Sequence, residues 1–310
     1  MDADTLYRCY ICDMFTAFYD FGMHYGQNLY QSLLAPMRIL FLSYVGLWVA
    51  WYLVFKGIMK SVFNPGYFFK MLLFFIFIEY LLQGSDFFWT HFHTPFLSLI
   101  SSLAQQCISL GRVSLKDSTF EGILYTLDHT LHKTVFHVWN ILIGEAGWLS
   151  WKPLMAAFIL IIPYLLVTCL FLAFLLEFVF SVMIVTAICP LLFITLSFKI
   201  LRGIALSALR IALQGSLTLL FSSIAMGFTL EIFNQFSPLI PSDPANISVY
   251  VEEFIFSSHY WAIWILGFLS VFFHIKAASF AKQISYFSYT SQGASSFLED
   301  SITLKPLSNF

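Results

Sequence analysis

Between Pro153 and Phe198 the chain runs for about 45 residues with a single charged side chain, Glu177. A helix rises about 1.5 Å per residue and the hydrocarbon core of a bilayer is about 30 Å thick, so this run has the length and polarity of membrane-embedded structure. The remainder of the chain does not supply the polar shell that would hide such a run in water. Only 10% of the 310 residues are charged and 59% are hydrophobic, where soluble domains carry roughly a quarter charged residues. A soluble enzyme and a disordered chain are both excluded, the latter because disorder needs low hydrophobicity and high charge. Fifteen basic and seventeen acidic residues give a net charge of −2, with no polybasic face for nucleic acid.

Other apolar runs complete the plan of an all-α integral membrane protein with about five transmembrane helices. Residues 39–55 are uncharged up to Lys56, and residues 211–230 and 254–275 are charge-free. Between Lys70 and Gln83 only Glu79 interrupts a short run, which Phe68 and Phe69 lengthen while Lys70 snorkels to the interface. The start, Met1-Asp2-Ala3-Asp4, is acidic where a signal peptide has a basic region, so the first span is expected to act as its own insertion signal.

Charge asymmetry orients these spans. Lys56, Lys60 and Lys70 cluster without acids, as do Lys199, Arg202 and Arg210, and the tail holds Lys276, Lys282 and Lys305. Residues 1–36 hold four aspartates against Arg8 alone, and residues 234–258 hold Asp243, Glu252 and Glu253 with no base. The expected organisation is a periplasmic amphipathic helix over 1–36, two spans over 37–82, a periplasmic helical loop over 83–152, a bundle over 153–282 and a cytoplasmic tail over 283–310. Residues 153–197 then cross an odd number of times. One crossing leaves helix to spare, so a long broken or protruding element is expected, with Glu177 and Pro190 as its discontinuities and Pro163 a further kink. The competing arrangement is two spans hinged at Glu177.

Outside the spans, Tyr7, Ile11, Met14, Phe18, Phe21 and Tyr25 repeat at alternating intervals of four and three. This seam either rests on the membrane interface or packs against another subunit. Phe120, Ile123, Leu124, Leu127, Leu131 and Val135 share a second helical face in the large loop. Phe15, Phe18, Phe21, Phe87, Phe88, Phe92 and Phe136 lie outside the clear spans, and subunit contacts are expected to bury them. Ala208, Ala212 and Ser216, followed by Ser223 and Gly227, recur every four residues as small side chains that let helices approach closely in lipid.

Catalytic chemistry has little to stand on. No nucleophile elbow, P-loop or H-E-x-x-H pattern is present, and no cofactor or metal is expected. His129 and His132 share a helical face beside Asp128, but their spacing matches no zinc or haem pattern, and polar loop histidines are the default reading. Among the histidines only His274 lies well inside a span. Cys9-x-x-Cys12 forms a local disulfide if the N-terminus is periplasmic. Cys107, Cys169 and Cys189 read as small hydrophobes. Intramembrane charges are functional candidates by default. Glu79, Arg210 and Glu231 sit near span ends, with Gln214 a polar companion, whereas Glu177 lies in mid-run and is expected to be a hinge.

The segment Ala187-Ile188-Cys189-Pro190-Leu191-Leu192-Phe193-Ile194, followed by Phe198, Lys199 and Arg202 and a small-residue-rich span, resembles the signature of the TrbL-type family. That family is the polytopic inner-membrane component of type IV secretion systems, the sixth member of the VirB operon. Gly57 at the end of the first span and the large loop after the second are also similar, while Ala208 stands where the family often has tryptophan. The resemblance implies a subunit without enzymatic turnover, in a ring-shaped homo-oligomer, pentameric in its arrangement. That ring would be the base for stalk or pilus assembly and substrate passage. Its partners would be the stalk or pilus base, core-complex and ATPase components of the system, and the translocated substrate in transit. The rival reading is a secondary transporter of a small solute, with a membrane haem or metal enzyme third.

Overall fold

The computed structural model describes residues 9–58, 65–82, 84, 87–110, 119–131, 151–198, 201–236 and 257–290. The described residues form helices and their connecting turns, with no strand among them. In chain order these are α1 (Tyr10–Ile58), α2 (Pro65–Leu81), a π-helical turn (Trp89–His93), α3 (Thr94–Ser109), α4 (Phe120–Leu131), α5 (Trp151–Ala187), α6 (Cys189–Ser197), α7 (Arg202–Phe236) and α8 (Ser258–Thr290). The protein is all-α, and Tyr10–Val54, Leu154–Ala187, Arg202–Ile232 and Tyr260–Ser285 are long and apolar enough to cross a membrane. With no water in the hydrocarbon core, helices satisfy every backbone N–H and C=O within the segment. The 17-residue α2, about 25 Å long, is shorter than those four.

The chain divides into two compact units. The first comprises residues 1–20, 97–179 and 215–282, and the second residues 21–96, 180–214 and 283–310.

In the first unit α5 and α8 run parallel. The Tyr260 hydroxyl donates to the Ala156 carbonyl at 2.7 Å, and the Tyr164 hydroxyl donates to the Ile263 carbonyl at 2.7 Å. Further along both helices, Phe171 meets His274 edge-on at 6.5 Å. Each tyrosine buries its ring in the bundle and spends its O–H on a neighbouring backbone carbonyl, which removes an otherwise orphaned donor. Pro163 lies inside α5 without ending it, and its ring occupies the space opposite Gly267, where a Cβ would come within 2.8 Å. The α7 helix joins this pair through Thr229, whose hydroxyl lies 2.6 Å from that of Ser270, and through Phe228 against Phe273. Those contacts run in opposite directions along α7 and α8, so α7 is antiparallel to α8. At Gly227 the α3 backbone presses on α7: a Cβ there would lie 2.6 Å from the Cys107 carbonyl oxygen. The small-residue pattern thus seats an intrachain helix contact at Gly227, with Ser216 and Ser223 buried on the same helix.

The predicted apolar face of α4 is buried in this unit through Phe120, Ile123, Leu124 and Leu127, while Leu131 is not described by its side chain and Val135 lies outside the described residues. Phe120 packs edge-on against Phe15 and Phe178. Phe15, expected in a subunit contact, is therefore buried by its own chain, because its position on α1 faces α4.

In the second unit α1 and α2 form an antiparallel pair joined by an aromatic ladder. Phe41 and Tyr44 meet Phe75, Trp48 stacks on Phe68 at 5.9 Å, and Tyr52 contacts Phe68 and Tyr67. The α1 helix continues through Pro36 rather than ending at residue 36, so the expected division between a separate external helix and a first span is corrected. An interior proline costs about 3 kcal/mol, and the fully buried Tyr30 and Phe41 on either side of it supply packing to offset that cost.

The expected break at Glu177 is also corrected. The α5 helix runs unbroken from Trp151 to Ala187, about 55 Å at the standard rise. Glutamate is a good helix former and keeps its N–H, so nothing at 177 interrupts the ladder. The discontinuity falls at Ile188, immediately before the short α6 that carries Pro190 at its first turn, where a missing N–H is tolerated.

Packing at Gly227 is directly testable. Gly227→Val should lower the melting temperature of the detergent-solubilised protein by an amount corresponding to about 1–3 kcal/mol of overpacking. Gly203→Val, at a position with open space, should change it far less. Equal melting temperatures would show that α3 yields at this contact.

Candidate functional site

The elbow between α5 and α7 carries the family-like residues and is held entirely within the second unit. Pro190 begins α6, whose Leu192, Phe193 and Ile194 are buried, and α6 packs against α2. Phe193 meets Phe88 edge-on at 5.2 Å. At Phe198 the backbone turns extended, with φ −100° and ψ 119°. Its carbonyl then accepts the N–H groups of Leu201 and Arg202, at 3.1 and 3.0 Å, and so starts α7. The Phe198 ring lies 4.3 Å from that of Tyr44. Arg202 reaches back with Nε 3.4 Å from the Leu196 carbonyl, a cation placed on the last free carbonyls of α6. The apolar run, the proline, the phenylalanine and the basic turn are thus the parts of one helix–elbow–helix device. Lys199 lies outside the described residues.

The remaining candidates are scattered. Glu177 is exposed on the first unit. Ala208 is buried in the second unit's core and Ala212 is half-buried. Along α1, Cys12, Phe15, Gly26, Tyr30, Phe41 and Tyr52 face inward. The seam read from the sequence is the opposite face: Met14, Phe18, Phe21 and Tyr25 are 54%, 43%, 69% and 63% exposed. Ile11 is half-buried, and Tyr7 lies outside the described residues. Phe87 and Phe88 are half-buried within the chain, Phe92 is exposed, and Phe136 lies outside the described residues.

Cys9 and Cys12 form a disulfide. Both residues are buried, with the Cys12 sulfur 4.0 Å from the Glu121 carbonyl of α4. Of the two histidines weighed as a ligand pair, His129 stacks on Tyr125, and His132 lies outside the described residues. Among the described residues no three His, Cys, Asp or Glu side chains converge.

Two features escaped the sequence reading. Arg38 on α1 donates through Nε to Glu79 on α2 at 2.7 Å. The signal was there: Arg38 precedes the uncharged run 39–55, Glu79 closes the second run, and an antiparallel hairpin brings those two ends level. The second feature is Gly22-x-x-x-Gly26 on α1. A Cβ at Gly22 would lie 2.6 Å from the Met183 sulfur, and one at Gly26 would lie 3.2 Å from the Trp89 ring. Small residues at this spacing admit close partners, here the end of α5 and the π turn. That turn brings Trp89 and His93 into a stack at 4.2 Å and buries the imidazole, 2% exposed, against Thr186 and Met23. Burial pushes the His93 pKa down to about 4, so the ring is neutral at neutral pH.

The Arg38–Glu79 pair is partly exposed, at 40% and 22%, which limits its worth. Reversing either charge alone should nevertheless lower the melting temperature, because it sets like charges together at the hairpin. The exchanged pair Arg38→Glu with Glu79→Arg should recover most of the loss. Additive losses in the double variant would mean that the two side chains do not interact.

The model of a family described as TrbL/VirB6 plasmid conjugal transfer protein matches residues 39–281, a region that contains α2 to α7 entire, the C-terminal part of α1 from residue 39 onward and much of α8. No curated protein matches the chain. The chain belongs to the TrbL/VirB6 family and is a multi-pass membrane component of conjugal transfer or type IV secretion.

Proposed function

We propose that this protein is an inner-membrane platform and channel subunit of a type IV secretion system, forming the base on which a stalk or pilus assembles and through which substrate passes. It acts by holding partners in place and has no enzymatic turnover. The observation that carries this reading is the α1 face formed by Met14, Phe18, Phe21 and Tyr25, which its own chain leaves uncovered. These positions precede the uncharged run that begins at residue 39, and of the two covers open to them, the membrane interface and another subunit, this reading takes the second. Further copies of the chain, arranged in a ring, would cover them. Core-complex, stalk and ATPase components complete the assembly in this reading, and the membership in a conjugal transfer family supports their presence.

The orientation that fits has the N-terminus and residues 83–152 in the periplasm and the tail in the cytoplasm. The Cys9–Cys12 disulfide favours an oxidising compartment for the N-terminus. Parallel α5 and α8 with α7 antiparallel between their ends favour a single crossing by α5, and α2 returns beside α1 as the second of five crossings. The Arg38–Glu79 pair neutralises a cation at the outer end of the first span, which removes its conflict with the charge rule. Pro190, Phe198, Lys199 and Arg202 would set the elbow at the cytoplasmic end. A secondary transporter draws on broken helices at mid-membrane, and the unbroken α5 through Glu177 counts against that alternative.

The test is substitution of the exposed rings. Phe18→Ser with Phe21→Ser should leave membrane insertion intact. Each ring withdrawn from a buried contact costs about 2 kcal/mol, so assembly and transfer should fall by at least about tenfold. Blue-native electrophoresis and a transfer assay in cells lacking the wild-type copy would read both effects. Unchanged assembly and transfer would contradict the proposal.

A further inference from the structure

From Leu97 onward α3 belongs to the first unit, and its residues sort onto three sides. At about 100° per residue, Leu97, Ile100, Ala104 and Ile108 share one side and are buried. Leu99, Leu103 and Leu110 share the opposite side and are 55%, 36% and 80% exposed, with the uncharged Gln106 among them. Leu110 still belongs to this helical turn, its N–H donating to the Gln106 carbonyl at 3.3 Å. Ser98, Ser102, Gln105 and Ser109 form a narrow polar strip between the two apolar sides. Ser102 and Ser109 return their hydroxyls to the Leu99 and Gln106 carbonyls.

A helix that packs one side on a protein and turns the other to water carries polar and charged residues on the outer side. Here the outer side is leucine, and from Phe87 to Gly111 the sequence holds no Asp, Glu, Lys or Arg. What that side meets follows from its depth. The Cys107 carbonyl oxygen and the Ile108 Cα lie 2.6 and 3.2 Å from where a Cβ on Gly227 of α7 would stand. Gly227 falls within the charge-free run 211–230, which is about as long as the hydrocarbon core is thick. It stands four residues before Glu231, about 6 Å inside the end of that run. A helix resting on a membrane buries its apolar face about 5–10 Å into the boundary between headgroups and acyl chains. Ile224 and Phe228, on either side of Gly227, are 48% and 51% exposed and extend the uncovered apolar surface at the same depth.

We infer that α3 is a lipid-anchoring helix. It lies in the membrane interface at the Glu231 end of α7, with its serine strip toward water and Leu99, Leu103 and Leu110 among the acyl chains. At 16 residues, about 24 Å, it is too short to cross a core of about 30 Å and stays in one leaflet. The orientation proposed above puts that end of α7 and residues 83–152 on the same side. The placement depends on α7 spanning the bilayer and not on the ring.

The experiment uses the full chain in phosphatidylcholine nanodiscs, with Cys107→Ala, Cys169→Ala and Cys189→Ala removing the free thiols. An environment-sensitive fluorophore is attached at Leu99→Cys, Leu103→Cys, Leu110→Cys, Ser98→Cys or Ser109→Cys, one position at a time, with Ile224→Cys as the lipid reference. Doxyl-labelled phosphatidylcholine should quench the three leucine-side labels to the same extent as the reference, and aqueous iodide should quench the two serine-side labels instead. Melting curves identify any label that prevents folding, and the remaining leucine positions then carry the test. Leucine-side labels quenched by iodide and not by the doxyl lipid would put α3 in water and overturn the proposal. Labels quenched by neither would mean that protein, such as a second copy of the chain, covers this side, and would overturn it equally. A reference label open to iodide would take α7 itself out of the bilayer, and the placement of α3 would fall for that separate reason.

Discussion

Along α1, Phe15 is buried in the first unit and Tyr30, Phe41 and Tyr52 are buried in the second, while Phe21, Tyr25, Leu47 and Trp51 stay uncovered. In the first unit Phe15 meets Phe120 of α4. In the second, Tyr30 stacks near Phe88 and Trp89, and Phe41 and Tyr44 engage Phe75 of α2. The geometric cause is a helix of 49 residues with aromatic side chains on both faces. One face is satisfied within the chain. The other is not, and in the proposed ring further copies of the chain would cover it.

The same economy governs the polar groups. Hydroxyls inside the helices turn back onto carbonyls one turn away, as Thr126, Thr168, Ser223 and Thr229 do, so they add small volume without an orphaned donor. Tyr164 and Tyr260 instead reach across to α8 and α5 and tie the two together. Arg38 and Glu79 place their charges at the end of a hairpin rather than in mid-span.

The class of fold was legible in the run from Pro153 to Phe198, since no soluble structure accommodates it, and the resemblance around Pro190, Phe198 and Arg202 pointed to the family that matches residues 39–281. The inward face of α1 was not legible. With 37 phenylalanines and 15 tyrosines in the chain, apolar residues satisfy a period of 3.5 on more than one face, and sequence alone does not rank them. Met14, Phe18, Phe21 and Tyr25 form a genuine seam, yet burial falls to Cys12, Phe15, Gly26 and Tyr30, a set that includes small and sulfur-bearing residues a hydrophobic count underrates. An isolated charge in an apolar run does not by itself mark a break, and at Glu177 the helix ladder stays intact. Arg38 was missed for the opposite reason: it sits at a boundary, and its meaning depends on Glu79, 41 residues away. The His93 environment needs three segments brought together by folding, and no local pattern announces it.

The proposed ring requires further copies of the chain on the uncovered face of α1. The most direct measurement is native mass spectrometry of the unmodified protein, extracted from membranes into lipid nanodiscs without cross-linking. A closed assembly whose mass is an integral multiple of the single chain, with every α1 seam buried, is the predicted result. A single-chain mass at all protein concentrations, with Phe18 and Phe21 open to surface labelling, would contradict it.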